Sequence, residues 1–200
     1  IEKHAESIVK SICSENWGIF YGSPVLFPFP KDETFAAARG NMVIIDDVIY
    51  AVCYNRWAVT WLEKSEDFGR SWEVVSWLDE RLWTNQIECG RINEASLGYY
   101  DGKMYVVGRQ QSENGDNRLE IGVSEDLGVT WTWSFLPIEG HAPSLTPYKD
   151  AFILTYRNVK DSNRGKYSFD TVLLKDGKLA SNPASLFESD NFDVGYGDVL

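Results

Sequence analysis

Short, mostly apolar runs, broken by frequent turn residues such as Gly, Asp and Asn, dominate the chain. MVIID (42–46), VIYAVCY (48–54), KMYVVGR (103–109), LEIGVS (119–124), AFILTYR (151–157) and DTVLLK (170–175) are rich in β-branched and aromatic residues. Their length and composition are those of strands. Asp101-Gly102 and Asp176-Gly177 separate pairs of such runs and have two-residue hairpin chemistry. A helical period shows only within residues 1–13, where Ile8, Val9 and Ile12 share one face. SPVLFPFPKD (23–32) reads as an extended, Pro-rich connection. The pattern therefore predicts an all-β protein. Residues 1–37 form an N-terminal segment, a short helix plus that connection, and residues 38–200 carry the strands.

The strands come in repeats. SEDFGRSWE (65–73) and SEDLGVTWT (124–132) share the template Ser-x-Asp-x-Gly-x-Ser/Thr-Trp. The template describes a turn: the Asp side chain accepts bonds from backbone N–H groups two residues on. Gly admits the turn's unusual dihedrals, and the Trp returns to the strand as a packing anchor. Around these turns, EASLGYYDGKMYVVGR (94–109) resembles HAPSLTPYKDAFILTYR (141–157), and IIDDVIYAVCYNR (44–56) is a looser copy. In this alignment His141 replaces the Glu of the repeat, and it reads as a residue opening a blade rather than a base. A third turn has decayed to LLKDGKLA (173–180), without Ser or Trp. A period of about 50 residues with several strands per unit signals a β-propeller of four-stranded antiparallel blades. The chain has room for about four blades, with GYGDVL (195–200) as the start of a further, truncated one.

Composition narrows the function classes. The 200 residues carry 19 Lys and Arg against 30 Asp and Glu, a net charge of −11. Such a balance argues against a nucleic-acid partner, because phosphate binding needs clustered cations. Any anionic ligand must be drawn by a local arginine cluster against the global field. No apolar run approaches the roughly 20 residues of a membrane span. Cys13, Cys53 and Cys89 stand far apart, and the two histidines are His4 and His141. Zinc needs clustered ligands, so no metal and no cofactor is expected. An odd cysteine count leaves at least one thiol unpaired within the chain.

The repeated turn resembles the Asp box of the sialidase (neuraminidase) superfamily, over roughly residues 38–200. On that resemblance Ser65, Asp67, Gly69 and Trp72, and Ser124, Asp126, Gly128 and Trp131, are structural box residues. Asn93-Glu94 followed by Asp101-Gly102 and Arg109 is similar to the phrase that carries the family's Glu, with one residue fewer before the Asp-Gly. The resemblance implies that Glu94 partners a nucleophile and that Arg109 belongs to a carboxylate-binding triad. TYRNVKDSNRGK (155–166) offers Arg164 as the next triad arginine, with Arg157 as a rival. GYGDVL offers Tyr196 as the nucleophile, followed by Asp198. The implied chemistry is coherent. Planar guanidinium groups suit the carboxylate of a sialic acid. A neutral phenol avoids repulsion from that carboxylate but needs a base, since its ordinary pKa is about 10.

Other features depart from the family. Its Arg-Ile-Pro phrase is absent, and Arg39 in AAARGNM lacks the Ile-Pro. The segment WAVTWLEK (57–64) leaves no room for the loop that carries an acid/base Asp, and Asp116 lies in another blade. The reading that follows is a six-bladed ring of which this chain supplies the later blades, completed by a missing segment or by an oligomer. The implied function is a sialidase-like glycoside hydrolase with a glycan ligand. The alternative is a non-catalytic glycan-binding or protein-binding propeller. Export from the cell follows by family analogy alone. Trp57, Trp61, Trp77 and Trp83 could stack on sugar rings, although packing is the ordinary use of tryptophan in a propeller.

Overall fold

The computed structural model describes residues 10–11, 25–26, 36–38, 41–55, 59–78, 91–111, 117–158 and 167–190. Its regular elements are all strands. The first sheet contains β3 (Ala36–Ala38), β4 (Val43–Ile45), β5 (Val48–Asn55), β6 (Thr60–Ser65) and β7 (Glu73–Trp77). Both β3 and β4 pair with β5, so together they form one interrupted first strand. The second sheet runs β8 (Arg91–Tyr100), β9 (Lys103–Gln111), β10 (Arg118–Ser124) and β11 (Thr132–Glu139). The third runs β12 (His141–Tyr148), β13 (Ala151–Asn158) and β14 (Tyr167–Lys175), with β15 (Lys178–Leu179) and β16 (Ala184–Ser189) both on β14. All pairings are antiparallel and join strands near one another in the chain, so each of these three sheets is an up-and-down blade, and the fold is a partial β-propeller.

Three blades are present among the described residues. The expected further blade rests on residues 195–200, which lie outside them. The helix expected over residues 1–13 meets a difference at its end. Lys10–Ser11 is a two-residue strand, β1, paired with β2 (Val25–Leu26). The apolar spacing there fitted a helix, but this pairing has satisfied the backbone across chain instead.

Alternation places one face of each sheet against the next. Ile45, Tyr50, Val52 and Leu62 of the first sheet meet Ile92, Leu97, Met104 and Val106 of the second. Tyr105, Val107, Leu119 and Ile121 then meet Leu145, Phe152, Leu154 and Val172 of the third. Bonds between blades reinforce the first strands: Leu145 N–H donates to Ser96 Oγ at 3.0 Å, and Asn41 Nδ2 donates to the Leu145 carbonyl at 3.1 Å. The Asp101-Gly102 and Asp176-Gly177 hairpins form as expected, with φ of 49° and 75°, and 50° and 73°, the signature of a turn with both central residues left-handed.

The two template turns join the third and fourth strands of the first two blades. In each, a serine hydroxyl accepts the glycine N–H, Gly69 to Ser65 at 2.7 Å and Gly128 to Ser124 at 2.8 Å. The aspartate accepts the N–H and hydroxyl four residues on: Ser71 for Asp67, at 2.7 Å each, and Thr130 for Asp126, at 2.9 and 2.6 Å. The sequence pattern suggested a partner two residues on. Instead the serine hydroxyl serves the nearer N–H, and the aspartate ties off the far end. These bonds hold both carboxyls down, to about 2. Trp131 Nε1 donates to the Gly128 carbonyl at 2.9 Å and to Ser76 Oγ of the first blade at 3.2 Å. The third blade has the tight Asp176-Gly177 hairpin in this place.

The remaining face of the first sheet is a tryptophan cluster. Trp61 and Cys53 are wholly buried and are flanked by Trp72, Val74 and Trp77. The Trp61 and Trp77 rings sit 5.7 Å apart. Burial removes Trp61 from any sugar-stacking role; Trp57 and Trp83 lie outside the described residues. Glu63 is buried here too. It accepts from the Cys53 thiol and from Trp61 Nε1, both at 3.3 Å. Burial pushes its carboxyl up to about 7, against the lowering effect of the two bonds. The Cys53 thiol is pushed up by burial and by Glu63. It is a free cysteine, and Cys13 and Cys89 lie outside the described residues.

Candidate functional site

The first strands of the second and third blades carry the same defect. Asn93 pairs with Arg109 and Ser96 with Val107, so Glu94 and Ala95 oppose the single residue Gly108. His141 pairs with Arg157 and Ser144 with Thr155, so Ala142 and Pro143 oppose the single residue Tyr156. Each is a β-bulge, a device that re-aims side chains. The first bulge residues are left-handed, Glu94 at φ 49° and Ala142 at φ 55°, a conformation that costs an L-residue roughly 1–2 kcal/mol. The register also corrects the sequence alignment. His141 stands where the second blade has Asn93, and Ala142, not His141, takes the place of Glu94.

The bulge turns the Glu94 carboxylate toward the third blade. Its Oε2 accepts the Ala142 N–H at 3.2 Å and lies 3.3 Å from Arg109 Nε. Arg109 Nε also donates to Asn93 Oδ1 at 3.0 Å. On the other side of Arg109 sits His141, with Arg109 Nη1 at 3.5 and 3.4 Å from Nδ1 and Nε2. Equal distances to both ring nitrogens mean the guanidinium does not point at one lone pair. Arg157 Nη2 approaches Nδ1 at 3.3 Å, and Nε2 lies 2.9 Å from Asn117 Oδ1. A guanidinium only donates and an amide oxygen only accepts. The imidazole therefore carries its proton on Nε2, donates it to Asn117 and accepts from Arg157 at Nδ1. Burial first, then Arg109, pushes His141 down to about 4; Arg157 acts in the same direction and Glu94 opposes them.

Of the expected site residues, Glu94, Arg109 and Arg157 are thus brought together at one end of the blades. Arg157 is 6% exposed. Arg164, Tyr196 and Asp198 lie outside the described residues, as do Arg39 and Asp116. Sequence reasoning passed over Asn93, Asn117 and the bridging role of His141. The available signal was the pairing of His141 with the terminal arginine of the repeat, which the bulge displaced by one position. With His141 neutral, the cluster holds two guanidinium groups against one carboxylate. It is a locally positive site in an acidic chain, suited to an anionic group.

Among the described residues no three His, Cys, Asp or Glu side chains converge as a metal-ligand set. No described helix is long and apolar enough to cross a membrane.

No protein-family model and no curated protein sequence matches the chain. Solved structures do. A protein of unknown function from Dyadobacter fermentans superposes with a TM-score of 0.70 at 20% identity, over 89% of this chain and 52% of its own. An α-L-arabinofuranosidase from Fusarium graminearum, in complex with an iminosugar inhibitor, gives 0.60 at 20%, over 78% and 49%. A family 117 glycoside hydrolase from Zobellia galactanivorans gives 0.57 at 12%, over 88% and 61%. The chain therefore spans about half the length of the structures it matches. At these identities the likeness is one of fold.

Proposed function

We propose that this chain forms part of a sialidase-like glycoside hydrolase that removes a terminal acidic sugar. The observation that carries the reading is the convergence of Arg109 and Arg157 on one neutral imidazole, beside Glu94. A planar, bidentate donor pair is what a sugar carboxylate requires. The two Ser-x-Asp-x-Gly-x-Ser/Thr-Trp turns fit the Asp box of that superfamily. Fold neighbours that include an α-L-arabinofuranosidase and a β-xylosidase support glycoside hydrolysis as the reaction class.

In this reading Arg109 and Arg157, with Arg164, bind the substrate carboxylate. Tyr196 Oη attacks the anomeric carbon as the glycosidic bond breaks, and Glu94 takes the phenolic proton. Asp198 follows Tyr196 and belongs to the same pocket. The departing oxygen takes its proton from an acid outside the cluster. Water, giving a proton to the conjugate base of that acid, then attacks the anomeric carbon of the glycosyl-tyrosine, an aryl glycoside; the tyrosine C–O bond breaks, and the phenolate takes back the proton held by Glu94. A second reading, a non-catalytic glycan-binding or protein-binding propeller, is favoured by one fact. Glu94 already braces two blades through Arg109 and the Ala142 N–H.

The test is hydrolysis of an aryl sialoside with a good leaving group, beside an aryl α-L-arabinofuranoside. Sialoside turnover that collapses in Tyr196→Phe and Glu94→Gln supports the proposal. Turnover of the arabinofuranoside alone points to a neutral sugar. Sialic-acid binding without turnover selects the second reading.

A further inference from the structure

We infer that His141 is a positioning residue: a neutral wedge that holds Arg109 and Arg157 side by side so that both serve one anion. Two like charges placed together in a half-buried site repel. Something uncharged must separate them while accepting from one and not repelling the other. His141 does this with polar contacts on three sides. Asn117, preceding β10, accepts from Nε2 and fixes the tautomer; Arg157, on β13, is received at Nδ1; and Arg109, on β9, lies across both ring nitrogens. Glu94, on β8, is the remaining charged group that acts on the ring, and it is already engaged by Arg109 and the Ala142 N–H.

The blade repeat supplies an internal control. At the equivalent position Asn93 meets Arg109 through its amide oxygen, at Nε. His141 places there a flat ring whose nitrogens meet Arg157 of its own blade and Asn117 and Arg109 of the neighbouring one. The wedge stands at the junction of the second and third blades, where the two arginines meet. A protonated imidazole would lose its acceptor at Nδ1 and add a third positive charge, so the wedge works only while the ring is neutral. The identity of the anion as a sugar carboxylate rests on the proposed function; the wedge does not.

Two measurements separate these claims. In 15N NMR of the labelled chain, with His141 assigned by loss of its signals in His141→Gln, the ring should remain the neutral Nε2–H tautomer well below pH 6.5, the region where an ordinary imidazole titrates. Replacing Arg157 with Gln should raise its titration point. An Nδ1–H tautomer, or titration at the ordinary value in the wild type, would overturn the wedge. Calorimetric titration with N-acetylneuraminate should show about tenfold weaker binding in His141→Ala, partly restored in His141→Asn, which keeps an acceptor for Arg157. With an aryl sialoside that loss should enter KM more than kcat, as for an interaction made equally in ground and transition states. Unchanged affinity in His141→Ala overturns the inference. If the wild type binds no N-acetylneuraminate, the acidic-sugar reading fails, and the wedge stands or falls on the NMR result.

Discussion

The turns at residues 65–72 and 124–131 and the cluster around His141 are both polar, yet they are held together over different ranges. Within the turns the Ser and Asp bonds span two to four residues. The cluster is joined by contacts spanning 16, 32 and 48 residues. A turn of the first kind forms wherever its few residues occur. A cluster of the second kind exists only when two blades are in register, and it reports on their assembly. The turns should therefore respond to local change, and the cluster to anything that shifts one blade against the next.

The largest expected effect blurs that division. Gly128 is both a left-handed turn residue, at φ 87°, and a contact between blades. A Cβ there would meet Leu62 Cδ2 at 2.1 Å. Gly128→Ala should cost about 3 kcal/mol or more, from dihedral strain plus overpacking. Chemical denaturation measures this, and a loss no larger than about 1 kcal/mol would show that the blades are free to separate there.

Next comes Glu94→Ala, which strips Arg109 of its carboxylate and the Ala142 N–H of its acceptor. We expect a loss of about 2 kcal/mol, for a charged hydrogen-bonded pair removed from a mostly buried site. Hydrogen exchange should rise at Ala142 while the two turns stay protected.

Acid gives a smaller and opposite pattern. Asp67 and Asp126 have carboxyls lowered to about 2 in the folded chain. Their contribution is complete above the ordinary carboxylate value and is lost as pH falls toward 2. Acid unfolding should flatten in an Asp67→Asn, Asp126→Asn double variant.

The smallest effect is at Ala142. Ala142→Gly removes left-handed strain but adds freedom to the unfolded chain, a net gain of about 0.5 kcal/mol. The N–H that Glu94 accepts is retained. A clear loss of stability would show that the Ala142 methyl, rather than its backbone, holds the junction.

The same contrast explains what could be read in advance. Strand runs, the Asp-Gly hairpins and the repeated turns depend on residues close in sequence, and composition with period exposes them. Glu94, Arg109 and Arg157 could be singled out from a resemblance in order and spacing. Their meeting could not, because a bulge adds one residue without changing the apolar alternation on either side. That extra residue placed His141 opposite the wrong partner in the repeat. The tautomer of His141 depends on Asn117 and Arg157, which come from a loop end and from a neighbouring strand. At Lys10–Ser11 a local helical spacing yielded to a pairing partner that no local pattern announces.

The carboxyl of Glu63, enclosed under the tryptophans of the first blade, gives that blade an optical signature. It changes charge at about 7, and its Oε2 lies 3.3 Å from the Trp61 indole nitrogen. Because its folded value lies above the unfolded one, its stabilising effect is complete below the ordinary carboxylate value of 4.5, falls as pH rises from there, and is lost by about 7. The same change places a negative charge against one indole, beside a second ring 5.7 Å away. Tryptophan emission should therefore shift across neutral pH and stop shifting in Glu63→Gln, so the light leaving Trp61 reads the protonation of a group that solvent does not touch.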